Sequence, residues 1–328
     1  MLAARSSRQW IAVGGLTLVA PVNVIAQTDG LTAGARLFEQ GKYAESKSTL
    51  TTVTRSEPRS ADAWYYLGRI AIVDGDGEGA AKALERAVAL NPRDARSHHW
   101  LGRAYSRQAV RAGKLKQAML AGKIRGEFEA AVSLAPDNVE ARSDLLQYYV
   151  VAPGFMGGSV DKARVQAKEI ARRNPLRGRL AHAVLHERAH DSAGAEKEYL
   201  AAVAESPDSA VAYYALGNMY QRTARYGEAV ALYDRLLARQ PAAKAVRYYI
   251  GRTSSLSGLD LERGARELRA YIASVPGPED PSLASAHYRL GLVLERQGDR
   301  AAARHEFEET LRLDRGQREA KEALTRVR

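Results

Sequence analysis

The sequence predicts an all-α solenoid of stacked helical hairpins, and three observations carry that prediction. Seven prolines, Pro58, Pro92, Pro136, Pro175, Pro207, Pro241 and Pro276, stand 34, 44, 39, 32, 34 and 35 residues apart, the period of a repeat array. Between them the same order of large and small residues returns. The composition is rich in alanine and arginine, with only 11 prolines in 328 residues, which favours helix.

Composition excludes several classes of protein. With no cysteine, the chain has no disulfide framework, thiolate metal site or cysteine nucleophile. A hydrophobic content of 45% provides material for a core and excludes general disorder. The formal net charge of +11 points to an anionic partner: nucleic acid, an anionic membrane surface or an acidic protein segment.

The first 26 residues have the plan of a secretory signal peptide. Arg5 and Arg8 precede the apolar run Ile11 to Ala20, Pro21 breaks it, and Val24-Ile25-Ala26 offers a small-residue cleavage pattern. The alternative is an uncleaved amino-terminal anchor in the inner membrane. Gly14, Gly15, Pro21 and Asn23 weaken that alternative, because a spanning helix needs about 20 apolar residues. The expectation is an exported, periplasmic protein, and export argues against a nucleic-acid partner. Loss of Arg5 and Arg8 leaves the chain strongly basic.

The repeat can be followed along the rest of the chain. In residues 61–92 it reads Trp64, Leu67, Gly68, Gly75, Ala80, Leu84, Ala87 and Pro92. In residues 210–241 it reads Tyr213, Leu216, Gly217, Tyr220, Tyr226, Ala229, Tyr233, Leu236 and Pro241. Large residues three and four apart make one apolar stripe on the first helix. Gly68 and Gly217, with Ala80 and Ala229, let the paired helices approach, and proline ends the second helix. One hairpin cannot bury its faces alone, so stacking supplies the core.

This pattern resembles the tetratricopeptide repeat family, and in particular exported bacterial members with insertions. The resemblance implies a right-handed superhelix of about eight antiparallel helix pairs. The units fall at about 27–60, 61–94, 95–138, 139–177, 178–209, 210–243, 244–282 and 283–315, with a capping helix over 316–328. The third unit carries about ten extra residues in Val110 to Lys123. The fourth carries the loop Ala152 to Ser159, whose Phe155 and Met156 are suited either to a partner or to packing on that insertion. The linker Gly277 to Pro281 precedes the eighth unit.

The resemblance also implies that the first helix of each unit lines a concave groove. Its fifth position reads Tyr65, His99, Ser143, His182, Tyr214, Tyr248 and Tyr288, and its ninth reads Arg69, Arg103, Gln147, His186, Asn218, Arg252 and Leu292. Tyrosine, arginine and amide groups suit a peptide surface, since aromatic faces and fixed donors dominate such contacts. The alternative is that these side chains only fill the superhelix. The expected function is a non-enzymatic scaffold of the bacterial cell envelope that binds a protein or peptide, without a cofactor.

One enzyme motif competes with that reading. His186-Glu187-Arg188-Ala189-His190 matches the H-E-x-x-H pattern in which two histidines on one helix face hold zinc. The repeat register accounts for the flanking residues, and no further domain supplies a distant ligand. A zinc metallopeptidase using His186 and His190 is therefore the first alternative. A carrier of an apolar or lipid ligand, suggested by Phe155 and Met156, is the second.

Overall fold

The computed structural model describes residues 22–327 except positions 275 and 278, with side chains described from Asp29 onward apart from position 111. Seventeen helices and one 3₁₀ turn make up the regular structure, and no strand occurs among the described residues. The helices come in consecutive antiparallel pairs: α1 (Val22–Glu39) with α2 (Tyr43–Ser56), α3 (Ala61–Val73) with α4 (Gly77–Leu90), and α5 (Ala95–Arg111) with α6 (Lys114–Leu134). Next come α7 (Val139–Val151) with α8 (Val160–Arg173), α9 (Pro175–Arg188) with α10 (Ser192–Glu205), and α11 (Ala210–Arg222) with α12 (Tyr226–Arg239). The last pairs are α13 (Lys244–Ser257) with α14 (Leu261–Ile272) and α15 (Leu283–Gln297) with α16 (Arg300–Leu313), followed by α17 (Arg318–Arg326). The first 21 residues of the expected leader lie outside the described residues, and its last five begin α1.

Local chemistry sets these boundaries. Asp76, Asn138, Asp191 and Asp299 each accept a hydrogen bond from the backbone N–H three residues on, satisfying a donor that the first turn leaves open. Pro58, Pro92, Pro136, Pro207 and Pro241 each follow the last residue of a helix by two positions. Pro175 behaves differently. It is the first residue of α9, and Asn174 closes α8 and caps α9 at once. A proline in the first helical turn loses no hydrogen bond, so the fifth pair starts three residues before the predicted Gly178.

Six of the hairpins, the first three and the last three, close through a glycine on the first helix facing a large residue on the second. A Cβ on Gly68 would lie 2.5 Å from Leu84 Cγ, and one on Gly102 would lie 2.5 Å from Phe128 Cε1. Gly217 faces Tyr233 and Gly291 faces Phe307 in the same way. Tyr213, Tyr233, Tyr271 and Phe307 are fully buried, each contributing about 1.5–3 kcal/mol of apolar transfer.

The third unit's extra residues do not form a loop. They lengthen α5 to 17 residues and α6 to 21, where α3 has 13 and α4 has 14. The joint end of α5 and α6 therefore stands beyond the other hairpin turns by roughly 6–10 Å, at 1.5 Å per residue. In the fourth unit, residues 154–156 make the 3₁₀ turn, and Tyr148 Oη donates to the carbonyls of Ala121 and Met156 at 2.9 and 2.5 Å. Met156 is thereby tucked against the third unit, while Phe155 is 86% exposed.

The stack curls until its end returns to its beginning. A Cβ on Gly75, in the α3–α4 turn, would lie 3.4 Å from the carbonyl of Leu313 at the end of α16. Tyr43, Arg107, Gln108, Asp280 and Leu283 line a cavity of about 670 Å³ between these ends. Among the described residues, no helix is long and apolar enough to cross a membrane.

Candidate binding groove

The groove is built by the first helices of the pairs, and its two halves have different chemistry. Across units one to three, rings and guanidinium groups alternate. Arg69 Cζ lies 4.3 Å from the Phe38 ring centroid and 4.6 Å from that of Trp100, and Arg103 Cζ lies 4.9 Å from the Trp100 centroid. Arg69 Nη1 also donates to Tyr65 Oη at 3.4 Å, and its buried Nε has no partner among the described residues. Stacking of this kind holds arginine in place at little cost in hydration, because guanidinium is weakly hydrated.

Beside that ladder lies a charged centre. Asp144, on α7, takes a hydrogen bond from Arg103 Nε at 2.5 Å and lies 2.8 Å from His99 Nε2. Burial pushes the Asp144 carboxyl up, but His99 and Arg103 outweigh it and hold the group below the usual carboxylate range. Gln147 is exposed beside this centre, in a cleft of about 750 Å³ that Ile124, Phe128 and Met156 help to line.

Across units six and seven the groove is a tyrosine stack. Tyr249 is the centre: its ring lies 4.6 Å from Tyr214, 5.7 Å from Tyr233 and 5.4 Å edge-on from Tyr248. Arg252 donates to Asn218 Oδ1 at 2.5 Å. Tyr248 is buried and packs on Tyr271 at 5.6 Å, so it supports the groove wall from behind. Tyr65 is likewise buried. Tyr288 lies apart, 6.0 Å from Phe307.

The fifth unit departs from the predicted register. Arg142 bonds Gln166, Arg247 bonds Glu267 and His287 bonds Glu306, each from a first helix to the second helix of its own pair. In α9 the residue making this contact is Arg179, which donates to Glu198 at 3.0 Å. The groove position is the residue after it, as Tyr248 follows Arg247, so α9 presents Leu180 and then Val184. His182 and His186 are not the equivalents of Tyr214 and Asn218, because α9 starts at Pro175. His182 is exposed, and His186 Nδ1 lies 2.8 Å from Asp191 Oδ2 at the hairpin turn.

The same turn undoes the zinc motif. Helix α9 ends at Arg188, and His190 sits beyond it with a φ of +58°. The first, second, seventh and eighth hairpins have Gly41, Gly75, Gly258 and Gly298 in this left-handed turn position. His190 is thus a turn residue off the helix face that carries His186. Glu187, the motif's base, pairs with Arg222 and accepts from Tyr199 Oη at 3.3 Å. Among the described residues, no group of three or more histidine, aspartate or glutamate side chains is arranged to hold a metal ion.

What sequence reasoning missed is the occupant of the groove. Residues Glu279 and Asp280 of the linker face the first helices of distant units. Glu279 pairs with Arg103 of the third unit. Asp280 accepts from the Gly277 backbone N–H at 2.8 Å, and Tyr271 Oη donates to the Pro281 carbonyl. The phenols of Tyr43, Tyr214, Tyr249 and Tyr271 are all pushed up, mainly by burial, and the Asp280 carboxylate adds to each. A single carboxylate therefore acts on tyrosines of units one, six and seven. The signal was the segment's composition, Pro-Gly-Pro-Glu-Asp-Pro, acidic and unable to form a helix in a basic chain.

Comparison with known proteins agrees with this architecture. Tetratricopeptide repeat family profiles match residues 31–95, 73–122, 180–244 and 214–253, and a second such profile matches 284–316. A tetratricopeptide repeat protein from Parabacteroides merdae has the same fold with 14% identity, covering 92% of this chain and 99% of its own, at a TM-score of 0.50. A thermophilic repeat protein of Thermus thermophilus is 18% identical over 59% of this chain and 98% of its own, with a TM-score of 0.48. A chain of the APC/C hetero-tetramer Cut9–Hcn1 is 14% identical over 93% of this chain and 57% of its own, with a TM-score of 0.47. No curated protein matches the sequence. With the family profile spanning more than half of the chain and every hairpin in place, the protein belongs to the tetratricopeptide repeat family.

Proposed function

We propose that this protein is a binding scaffold whose groove takes an extended, acidic peptide segment of a partner protein. The observation that carries the reading is the chain's own Glu279-Asp280-Pro281. These residues lie near Arg103, Tyr43, Tyr214 and Tyr271 as an acidic peptide would. A groove that accommodates Glu279 and Asp280 has the donors and ring faces such a ligand needs. The leader-like first 26 residues support a location in the bacterial cell envelope. The residues of the groove assigned to the partner are Arg103, Gln147, Tyr214, Asn218 and Arg252. Tyr65, Arg69, His99 and Tyr248 hold them in position.

The test is a fluorescence anisotropy titration on the Glu279→Gln/Asp280→Asn variant, in which the native segment has lost its charge. A labelled peptide with a Pro-Glu-Asp-Pro core should bind with a Kd of about 1–100 μM, the range of modest peptide contacts. Its Pro-Gln-Asn-Pro counterpart should bind at least tenfold more weakly, and Arg103→Glu in the same background should abolish binding. Equal affinity for the two peptides would overturn the proposal.

A further inference from the structure

We infer that the protruding end of the α5–α6 hairpin, with the 3₁₀ turn beside it, is a docking surface for an anionic lipid bilayer. Exposed large apolar side chains are concentrated there. Val110 is 83% exposed, Leu115 80%, Met119 71%, Val151 68% and Phe155 86%. The remaining exposed large apolar residues, such as Leu134, Leu200 and Leu259, lie on separate helices or turns. Val110 and Val151 line one cleft, and Leu115 and Met119 lie on the outward side of α6 at the same hairpin end. An apolar group on this scale needs a partner.

Charge identifies that partner. From Val110 to Gly126 the chain has five cations, among them Lys114, Lys116, Lys123 and Arg125, and no carboxylate. Residues 151–159 have none either. The carboxylates that approach come from elsewhere: Glu85 lies 4.0 Å from Lys123, and Glu129 lies 3.9 Å from Arg125. Two copies meeting through this face would set like charges against each other, which disfavours a dimer. A groove-seated peptide is disfavoured because Leu115 and Met119 lie on the outward side of α6, away from the cleft that Gln117 and Ala121 line.

The arrangement fits a bilayer interface. Leu115 and Met119 are one turn apart on α6, with Lys114 and Lys116 flanking Leu115. Apolar side chains flanked by lysine enter the headgroup region while the ammonium groups stay with the lipid phosphates. Each cation held near an anionic surface multiplies partitioning several-fold. The lengthening of α5 and α6 then has a purpose, since it carries these groups clear of the solenoid.

Vesicle co-sedimentation of the full chain tests this directly. The protein should pellet with phosphatidylcholine vesicles containing 30% phosphatidylglycerol at about ten times the extent seen with phosphatidylcholine alone. Leu115→Gln/Met119→Gln/Phe155→Ser and, separately, Lys114→Glu/Lys116→Glu should each cut that pelleting at least tenfold, with unchanged helical circular dichroism. Charge reversal at Arg300 and Arg304, on the exposed face of α16, should leave it within twofold. Failure of the wild type to prefer anionic vesicles overturns the inference. So does equal loss from the Arg300/Arg304 control, which would mean a response to net charge. A wild-type dimer that the apolar variant makes monomeric, without vesicle binding, would instead assign the surface to a contact between copies.

Discussion

Glu279, just ahead of the eighth hairpin, pairs with Arg103 of the third, 176 residues earlier in the chain. A contact of that span exists because the solenoid curls until its eighth pair returns to its second, as Gly75 beside the Leu313 carbonyl also shows. Arg103 is thus already engaged, and under the proposed function an acidic partner segment competes with Glu279.

That competition has a measurable size. The Arg103–Glu279 pair is partly exposed, with 62% of the Glu279 side chain accessible, so screening limits it to about 0.2–1 kcal/mol. Glu279→Gln should tighten binding of an acidic groove peptide about two- to fivefold, as read by anisotropy, and the gain should shrink at high salt. An unchanged affinity would mean that the linker does not contest the site.

Asp144 predicts an acid limb. Its carboxyl titrates below the ordinary range in the folded chain, because His99 and Arg103 stabilise the anion more than burial disfavours it. A depressed folded-state value contributes stability that is complete above the unfolded value of about 3.9 and is lost as pH falls through the folded value. Thermal melts should therefore lose stability below about pH 4. Asp144→Asn should cost about 2–3 kcal/mol at pH 7, by leaving Arg103 and His99 poorly paired, and should flatten that limb.

The two kinds of glycine predict opposite signs. An alanine at Gly102 would press on Phe128, which is buried, so Gly102→Ala should destabilise by about 1–2 kcal/mol despite its better helix propensity. Nothing lies within 4 Å of a Cβ on Gly126, in the same hairpin, and Gly126→Ala should stabilise by about 0.5–1 kcal/mol. Urea denaturation of the two variants measures both.

His190 offers a further case. A residue with a side chain in the left-handed region is strained by about 1 kcal/mol relative to glycine. His190→Gly should raise stability by roughly that amount, and Ala224→Gly, at a φ of +56° in the next hairpin, should do the same. Zinc titration by calorimetry should be identical for the wild type and His190→Gly. A stoichiometric zinc site lost in the variant would restore the metal reading.

Much of the groove was legible because the repeat converts chain position into spatial position. Arg69, Arg103, Tyr214 and Asn218 lie on first helices that start where their units do, at Ala61, Ala95 and Ala210. The fifth unit failed because Pro175 can either end one helix or begin the next, and only the shared cap at Asn174 decides which. Trp100 and Tyr249 were missed for a related reason. They lie one residue past the groove position, and the curvature that turns them toward neighbouring arginines and tyrosines is set by packing between units.

The sequence by itself determined the hairpins, their stops and the family, because spacing, proline and small-residue signals act within a few turns of helix. The tertiary structure alone decided what meets across the superhelix: Glu279 with Arg103, and Asp280 near enough to Tyr43 and Tyr214 to raise their phenols. Those pairings depend on the accumulated rotation of eight stacked pairs. No local pattern encodes that sum, since each interface contributes a small angle fixed by side-chain packing.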